Sequence, residues 1–268
     1  MELLGVIGNI SRDLASHPDT RVEMLGGAAL HVALAAARAG LPAAPVSVTG
    51  TDLGWITGDP RLAGLDLHYV KVTPGESCAF RLTYDATGRL TGTDASFGVA
   101  AVLTAHALSV LGSLPACHVC CRRPLDVPAV LGRLAELGIP FSVDFHLASA
   151  SVLMPAASPA LPHARAVFVN AAEFAILAQV TDPGRLQAVV ISDGQAPAIV
   201  LRHGRQVTSA TPPPTTVTEV TGAGDTLTGT FLAASARGLD CQAALAEAVT
   251  AASRAASEPG LVIPAAGG

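Results

Sequence analysis

Short, almost wholly apolar segments alternate with Ala- and Leu-rich segments along most of the chain. Strands buried on both faces of a parallel sheet are continuous apolar runs, whereas longer periodic runs favour helices. The alternation therefore predicts an α/β fold, a three-layer sandwich with a mostly parallel central sheet, in a single domain over residues 1–268. The predicted strands are 3–8, 44–50, 116–121, 140–145, 166–170 and 188–192, and the predicted helices include 27–39, 126–137, 171–178 and 224–237.

Residues 67–93 break this rhythm, because apolar and polar residues alternate there between turn signals at Pro74-Gly75 and 85–88. Such alternation is typical of a half-exposed antiparallel hairpin. We expect this hairpin, with part of 12–25, to form a small β lid. The stretch 12–23 is expected to be too short for a full set of lid strands. Because a bare hairpin edge invites pairing, a homodimer through 67–93 is a further hypothesis.

The charged residues argue against nucleic-acid and membrane partners. The 16 Lys and Arg are scattered and outnumbered by 21 Asp and Glu, which gives a formal net charge of −5. No basic stripe or patch follows from this distribution. Polar residues and prolines interrupt every apolar run before the ~18–20 residues that a membrane span needs. The first residues lack the basic segment of a signal peptide, so we expect a cytoplasmic protein.

Three of the five cysteines cluster as Cys117, Cys120 and Cys121, beside His118. One Cys-x-x-Cys pair next to a histidine suggests a metal site, but no second ligand pair follows at the spacing of structural zinc. The apolar neighbours favour a buried strand instead.

The turn Gly222-Ala223-Gly224 carries the clearest chemical signal, since it leads directly into a helix with Asp225 in its first turn. Glycines let the backbone approach a ligand, and the unpaired N–H groups of a helix's first turn attract phosphate. A carboxylate there can also be a simple cap. The adjacent glycines favour phosphoryl transfer, because the turn supplies an anion cradle and Asp225 a base. No Gly-Lys-Ser/Thr follows, so this is not a Walker A loop.

The segment VTGAGDTLTGTFLAA, residues 220–234, closely resembles the C-terminal signature of the ribokinase-like (PfkB) carbohydrate and nucleoside kinases. The resemblance extends over most of the chain in the family order. GNISRD at 8–13 resembles the first-strand motif, GGAALHVALAAARAG at 26–40 the N-terminal signature, and NAAEF at 170–174 the family's NxxE motif. It implies a ribokinase-like three-layer sandwich with a small β lid.

The resemblance also implies a role for each matching residue. Asp225 would be the general base, with the Gly222, Ala223 and Gly224 amides as the anion hole. The substrate would bind near Asp13, Gly26, Gly27 and His31, and the nucleotide near Asn170, Glu173, Ser192, Gly194 and Thr221. The implied cofactors are ATP and Mg²⁺, with Glu173 holding Mg²⁺ largely through water.

Three positions depart from the family pattern. His31 replaces an asparagine that touches the sugar, and it can either donate a hydrogen bond or simply pack on the sheet. Arg122 stands where ribose-type members place a substrate-binding acid. It would favour an anionic or carbonyl-bearing substrate group, unless it is a solvated surface arginine. Glu219 replaces the usual aspartate where many members bind a monovalent cation, which makes K⁺ a candidate cofactor.

The function expected from the residues and the resemblance together is ATP-dependent phosphorylation of a hydroxyl on a small sugar-like substrate. A nucleoside or cyclitol (inositol-type) kinase is the alternative, because the recognition acid of sugar-type members is not evident. A non-catalytic ligand-binding protein on a kinase scaffold is a further alternative. The retained Asp225, glycine turn and NxxE motif favour the enzyme.

Overall fold

The computed structural model describes residues 2–86, 90–215, 222–258 and 260–263. The strands are β1 (Leu4–Ile7), β2 (Ser11–Ser16), β3 (Arg21–Gly26), β4 (Ala43–Gly50), β5 (Val70–Thr73), β6 (Ala79–Tyr84), β7 (Leu90–Ser96), β8 (Ala116–Cys121), β9 (Phe141–Phe145), β10 (Val167–Asn170), β11 (Val189–Asp193), β12 (Ala196–Arg202), β13 (Arg205–Ala210) and β14 (Leu261–Val262). The helices are α1 (Ala28–Arg38), α2 (Leu103–Val110), α3 (Val127–Leu137), α4 (Leu147–Ala157), α5 (Ala171–Val180), α6 (Ala223–Ala236) and α7 (Cys241–Ala255).

The large sheet has nine strands in the order β13-β12-β11-β10-β9-β8-β1-β4-β5. The seven strands from β11 to β5 run parallel, whereas β12 and β13 are antiparallel additions at one edge. All six predicted strands lie in this sheet, and their apolar runs are buried as expected of strands covered on both faces. The predicted α/β fold with a mostly parallel sheet is confirmed.

Helices cover both faces of the large sheet. Helices α1, α6 and α7 pack on one face, and α2, α3, α4 and α5 pack on the other. Helix α6 lies close against α1 because Gly229 has no side chain: a Cβ there would collide with the Val32 carbonyl and lie 2.8 Å from Ala35 Cβ. This contact brings the start of α6 next to His31. Within the described ranges, none of the helices has the length and apolar character needed to cross a bilayer.

The small sheet has the order β14-β3-β2-β6-β7 and starts from the carboxyl end of β1. Strands β6 and β7 form part of the expected hairpin. Strand β5 differs from the expectation, because it pairs in parallel with β4 at the edge of the large sheet, so Pro74-Gly75 is not a hairpin turn. The alternating pattern of 67–93 indicates strands with one buried face. An edge strand of the large sheet and a strand of the small sheet both have such a face, so the pattern does not distinguish between them.

The prediction that 12–23 is too short for lid strands is wrong. Strands β2 and β3 pair antiparallel over six residues each. Only four residues, 17–20, connect them, and a hairpin needs no more. The small sheet therefore rests on two hairpins, with β14 added along β3.

The cysteine cluster lies on β8, as the buried-strand interpretation predicted. Cys117, Cys120 and Cys121 are all at most 2% exposed. Burial raises the pKa of Cys117 to about 12, and it raises the pKa values of Cys120 and Cys121 well above the ordinary value of a thiol. These thiols therefore stay protonated at neutral pH.

Candidate active site

Several polar side chains of the candidate site lie along the carboxyl edge of the parallel strands. Arg122 follows β8, Asp144 lies near the end of β9, Asn170 ends β10, and Ser192 lies near the end of β11. Strand ends that point the same way meet at one edge of a parallel sheet, where α/β proteins bind their ligands. The order of the strands therefore gathers residues that are far apart in the sequence.

Asp225 lies in the first turn of α6. Gly222 precedes the helix in the left-handed region, with φ +80°. Gly222 has no side chain that could cap the helix, and the N–H groups of a helix's first turn, here including those of Ala223 and Gly224, have no acceptor within the helix. The structure places Asp225 and these amides on one helix end, and their roles as base and anion cradle stay predictions.

Arg122 links Asp225 to Asp144. Its Nη1 donates to both oxygens of Asp144, at 3.1 and 2.9 Å, and its Nη2 donates to Asp225 Oδ1 at 3.0 Å. Burial opposes the charge on Arg122, but the two carboxylates more than offset it and raise the pKa of Arg122. This side chain is 23% exposed, which differs from the solvated surface arginine considered above. Its substrate-binding role stays a prediction.

Asp144 belongs to a buried polar cluster that extends to His118. The two side chains are 3.6 Å apart, and His118 Nδ1 shares a 2.8 Å hydrogen bond with Ser142 Oγ. Burial opposes ionisation of Asp144, but Arg122 and then His118 outweigh it and lower the pKa of Asp144.

His118, Cys120 and Asp144 lie within 4.8 Å of one another, a spacing that a metal ion could bridge. Arg122 already occupies both oxygens of Asp144 and would repel a cation. Burial raises the pKa of Cys120, so a metal would have to displace the proton from its sulfur. The cluster is therefore better described as an extension of the Arg122 ion pair.

Asn170 and Glu173 form a reciprocal capping box at the start of α5. Asn170 Oδ1 accepts from the Glu173 N–H and Glu173 Oε2 accepts from the Asn170 N–H, both at 2.8 Å. The NxxE spacing is thus explained first by helix geometry. Burial raises the pKa of Glu173, and the bond from Asn170 only partly offsets this. A role toward Mg²⁺ stays a prediction for both residues.

Ser192 is the register partner of Asn170 on the neighbouring strand, so these predicted nucleotide contacts lie side by side. Gly194 lies in the turn between β11 and β12 with φ +56°, a conformation that favours glycine. The other two predicted residues of the nucleotide side, Glu219 and Thr221, lie outside the described residues.

The predicted substrate side is built around two glycines. A Cβ at Gly26 would collide with the Asp13 carboxylate, which therefore lies directly over this glycine. Gly27 has φ +102°, and a Cβ there would collide with the Asn9 carbonyl. The double glycine lets the start of α1 pass close to β1 and β2, with Asp13 above it.

His31 joins this group to the start of α6. A Cβ at Gly222 would lie 3.2 Å from His31 Cγ, so the ring packs against the glycine turn. Asp13, Gly26 and His31 also line one small cavity. A larger cavity of about 620 Å³ between α1, α6 and α7 meets this region at His31 and Gly222.

Several polar residues at this edge escaped the sequence analysis. Asp144 sits in an apolar strand with no motif around it, and His118 was noted only as a neighbour of the clustered cysteines, not as a partner of Asp144. Among the described residues, Asn9 Oδ1 and Ser11 Oγ are buried oxygens without a hydrogen-bond partner. Asn9 and Ser11 lie inside GNISRD, between a strand end and the predicted substrate aspartate, and this position was the sequence signal that could have pointed to them.

Comparison with known proteins places this geometry in a family. The pfkB family carbohydrate kinase model matches residues 5–266. Among curated proteins, no significant match was found.

Solved kinase structures resemble the whole chain. A Burkholderia thailandensis nucleoside kinase in complex with inosine is 20% identical, with a TM-score of 0.81 over 96% of this chain and 92% of that one. A putative ribokinase II from E. coli in complex with ATP and Mg²⁺ is 19% identical, with a TM-score of 0.82 over 97% and 94%. A Methanocaldococcus jannaschii nucleoside kinase is 18% identical, with a TM-score of 0.82 over 97% and 93%. These likenesses show a ribokinase-like fold, and with the match over residues 5–266 the chain belongs to the pfkB family of carbohydrate kinases.

Proposed function

We propose that the protein transfers a phosphoryl group from ATP to a hydroxyl of a small sugar-like substrate, with Asp225 as the general base. The observation that carries this proposal is the position of Asp225 in the first turn of α6, beside N–H groups that have neither an acceptor within the helix nor a capping side chain at Gly222. A base and an anion cradle on one helix end serve two needs of phosphoryl transfer: activation of the attacking hydroxyl and stabilisation of the developing charge.

In the proposed reaction, Asp225 accepts the proton of the substrate hydroxyl. The hydroxyl oxygen forms a bond to the γ-phosphorus while the bond between that phosphorus and the β–γ bridging oxygen breaks. ADP leaves with the electron pair of that bond. The first-turn amides after Gly222 stabilise the charge that develops on the phosphoryl oxygens. Positioning and electrostatics supply most of the catalysis in such a reaction.

The carboxyl groups of Glu173 and Asp225 suit Mg²⁺, because both lie at this edge of the sheet on the proposed nucleotide side. Asp144 is not counted with them, since Arg122 takes both of its oxygens. Mg²⁺ prefers such oxygen ligands, keeps several waters, and when bound would neutralise phosphate charge. Asn170, Glu173, Ser192, Gly194 and Thr221 are the residues proposed to hold the nucleotide and its ion, and Glu219 is proposed as a ligand of K⁺.

The substrate is proposed to bind over Gly26 and Gly27, where Asp13 can accept hydrogen bonds from its hydroxyls and His31 can donate or accept one. The buried Asn9 Oδ1 and Ser11 Oγ add two oxygens on the same side. We propose that the small sheet covers this space as a lid. Arg122 remains a proposed substrate contact only if its bond to Asp225 opens on binding.

Nucleosides are the second candidate class of substrate. Two of the similar structures are nucleoside kinases, one of them in complex with inosine. A nucleoside presents the hydroxyls of its ribose to the same residues, so the polar side of the site suits both classes. Cyclitols offer comparable hydroxyls and belong in the same test.

The decisive experiment measures ADP release from Mg-ATP with a panel of sugars, nucleosides and cyclitols, with and without K⁺. Wild type and Asp225→Asn run in parallel, with Asp182→Asn as a control because Asp182 caps a surface turn. Release that depends on one class and is lost only in Asp225→Asn supports the proposal. Nucleotide binding without release across the panel would instead support the non-catalytic ligand-binding alternative.

A homodimer through the hairpin remains part of the proposal. In the described part of the small sheet, β7 is an edge strand, so its outer backbone groups are open to a second copy. Light scattering at working concentration should give twice the 26.9 kDa chain mass. A monomer mass would reject it.

A further inference from the structure

The proposed base is tied to the central sheet through one arginine. Asp225 lies on α6, whereas Asp144 lies on β9, and Arg122 after β8 donates to both. Strands β8 and β9 are register partners over residues 117–121 and 141–145, so the anchor of the arginine is part of the rigid sheet.

The anchor is buried and internally bonded. Asp144 is 5% exposed, and both of its oxygens accept from Arg122 Nη1. Behind it, His118 is fully buried and shares its Nδ1 hydrogen bond with Ser142. The guanidinium group of Arg122 is planar, and Asp144 holds it at Nη1. Its Nη2 is therefore directed to a defined place. That direction leads to Asp225 Oδ1.

We propose that Arg122 and Asp144 are positioning residues that hold the Asp225 carboxylate in its reactive orientation. This inference rests on the proposed role of Asp225. The Arg122 bond engages Oδ1, which leaves Oδ2 to accept the substrate proton. A free arginine recruited for an anionic substrate would not need a buried carboxylate on its far side.

The first test separates turnover from binding. In Arg122→Ala we expect kcat to fall about 100-fold with the KM values changed less than about threefold, since misplacing a reacting group by ~1 Å costs that much. Guanidinium ion added to Arg122→Ala at millimolar concentration should raise kcat by at least about tenfold, because the ion can occupy the space between the two carboxylates that Arg122 has left. Arg122→Lys should fall between the two, since an ammonium lacks the planar fork.

Arg237→Ala is the matched control, because Arg237 also pairs with a carboxylate, but this pair joins the C-terminal end of α6 to Glu247 in the middle of α7. It should keep wild-type kcat and show no guanidinium response. A raised KM for the acceptor with unchanged kcat in Arg122→Ala would overturn the proposal, because Arg122 would then bind substrate. Should Arg122→Ala fail to fold, an Arg122→Lys variant with wild-type kcat would overturn it equally.

A second test does not need turnover. In protein labelled with ¹³C at the aspartate carboxyl carbons, the Asp225 signal is identified by its loss in Asp225→Asn. It should shift in Arg122→Lys and in Asp144→Asn but not in Arg237→Ala. Unchanged shifts would refute the positioning role. If these shifts occur while no acceptor supports ADP release, the positioning contact stands and the proposed kinase activity fails.

Discussion

Arg122 Nη2 donates to Asp225 Oδ1 at 3.0 Å, across 103 residues of sequence. The bond joins the end of a central strand to the first turn of the helix that carries the proposed base. Burial of the arginine is offset by the charges of Asp144 and Asp225, which raise the pKa of Arg122. Arg122 therefore stays positively charged over the working range of pH and continues to attract the Asp225 carboxylate.

Removing the carboxylate charge of Asp225 should abolish turnover and spare nucleotide binding. In Asp225→Asn we expect kcat to fall by about 10²–10⁴-fold, the usual contribution of a general base. The open N–H groups of the first turn remain, so the Kd for Mg-ATP should change little. Steady-state kinetics and calorimetry measure the two quantities. Near-normal kcat would reject Asp225 as the base.

Breaking the buried pair at Asp144 should destabilise the fold. Asp144→Asn leaves the Arg122 charge with one partner fewer, and losing one partner of a buried pair costs about 3–5 kcal/mol. Because Arg122 keeps Asp225, we expect the lower end of that range. Urea unfolding provides the free energy. Arg237→Ala, which breaks a half-exposed pair, should cost less than about 1 kcal/mol; equal losses in both variants would contradict the buried coupling.

Glu173 should make stability depend on pH with a defined sign. In the folded protein its pKa is raised above the ordinary value of a glutamate, chiefly by burial. The folded state therefore holds this proton to higher pH than the unfolded chain does. Its contribution is fully present below the unfolded pKa and is lost as the pH rises through the raised one.

Glu173→Gln stays neutral and keeps an oxygen that can accept the Asn170 bond. Its unfolding free energy, relative to wild type, should therefore increase between pH 4 and pH 7. Urea unfolding at several pH values tests this, with the exposed Glu136→Gln as the control. A pH-independent difference would show that burial of Glu173 carries no such cost.

The close approach of the chain at Gly27, on the proposed substrate side, can be tested with Gly40 as a control. Both have positive φ, +102° and +88°, but a Cβ at Gly27 meets the Asn9 carbonyl and Ile10 Cα, whereas nothing lies within 4 Å at Gly40. Gly40→Ala should cost only the backbone strain of about 1–2 kcal/mol. Gly27→Ala should cost more than about 3 kcal/mol, since overpacking adds to the strain. Equal melting temperatures would refute the close approach.

The thiols should differ in reactivity. Cys78 and Cys117 have pKa values raised to about 12 by burial, and Cys120 and Cys121 are also buried. Cys241, at the start of α7, is partly exposed. At pH 8 a thiol reagent should modify one cysteine in the native protein and five after unfolding. Cys241→Ser should abolish the native reaction; rapid modification of a second thiol would contradict the burial.

The sequence determined most of the elements of the fold. Continuous apolar runs such as 116–121 mark strands covered on both faces, and each predicted strand and helix matches the structure within two residues at either end. The helix that follows Gly222 begins where its glycine turn indicated. These features are local, because burial on two faces, turn glycines and capping residues are written in neighbouring positions.

The pairing partners of the strands and of the charged side chains could not be read from neighbouring positions in the sequence. The alternation of 67–93 shows that one face of each strand is exposed, but it does not say that β5 joins the large sheet while β6 joins the small one. Likewise, Arg122 has no sequence signal that names Asp144, 22 residues away, or Asp225, 103 residues away. Only the strand order, which brings the ends of β8 and β9 beside the start of α6, decides that these three charges share one buried contact, because ion pairs depend on distance in space rather than along the chain.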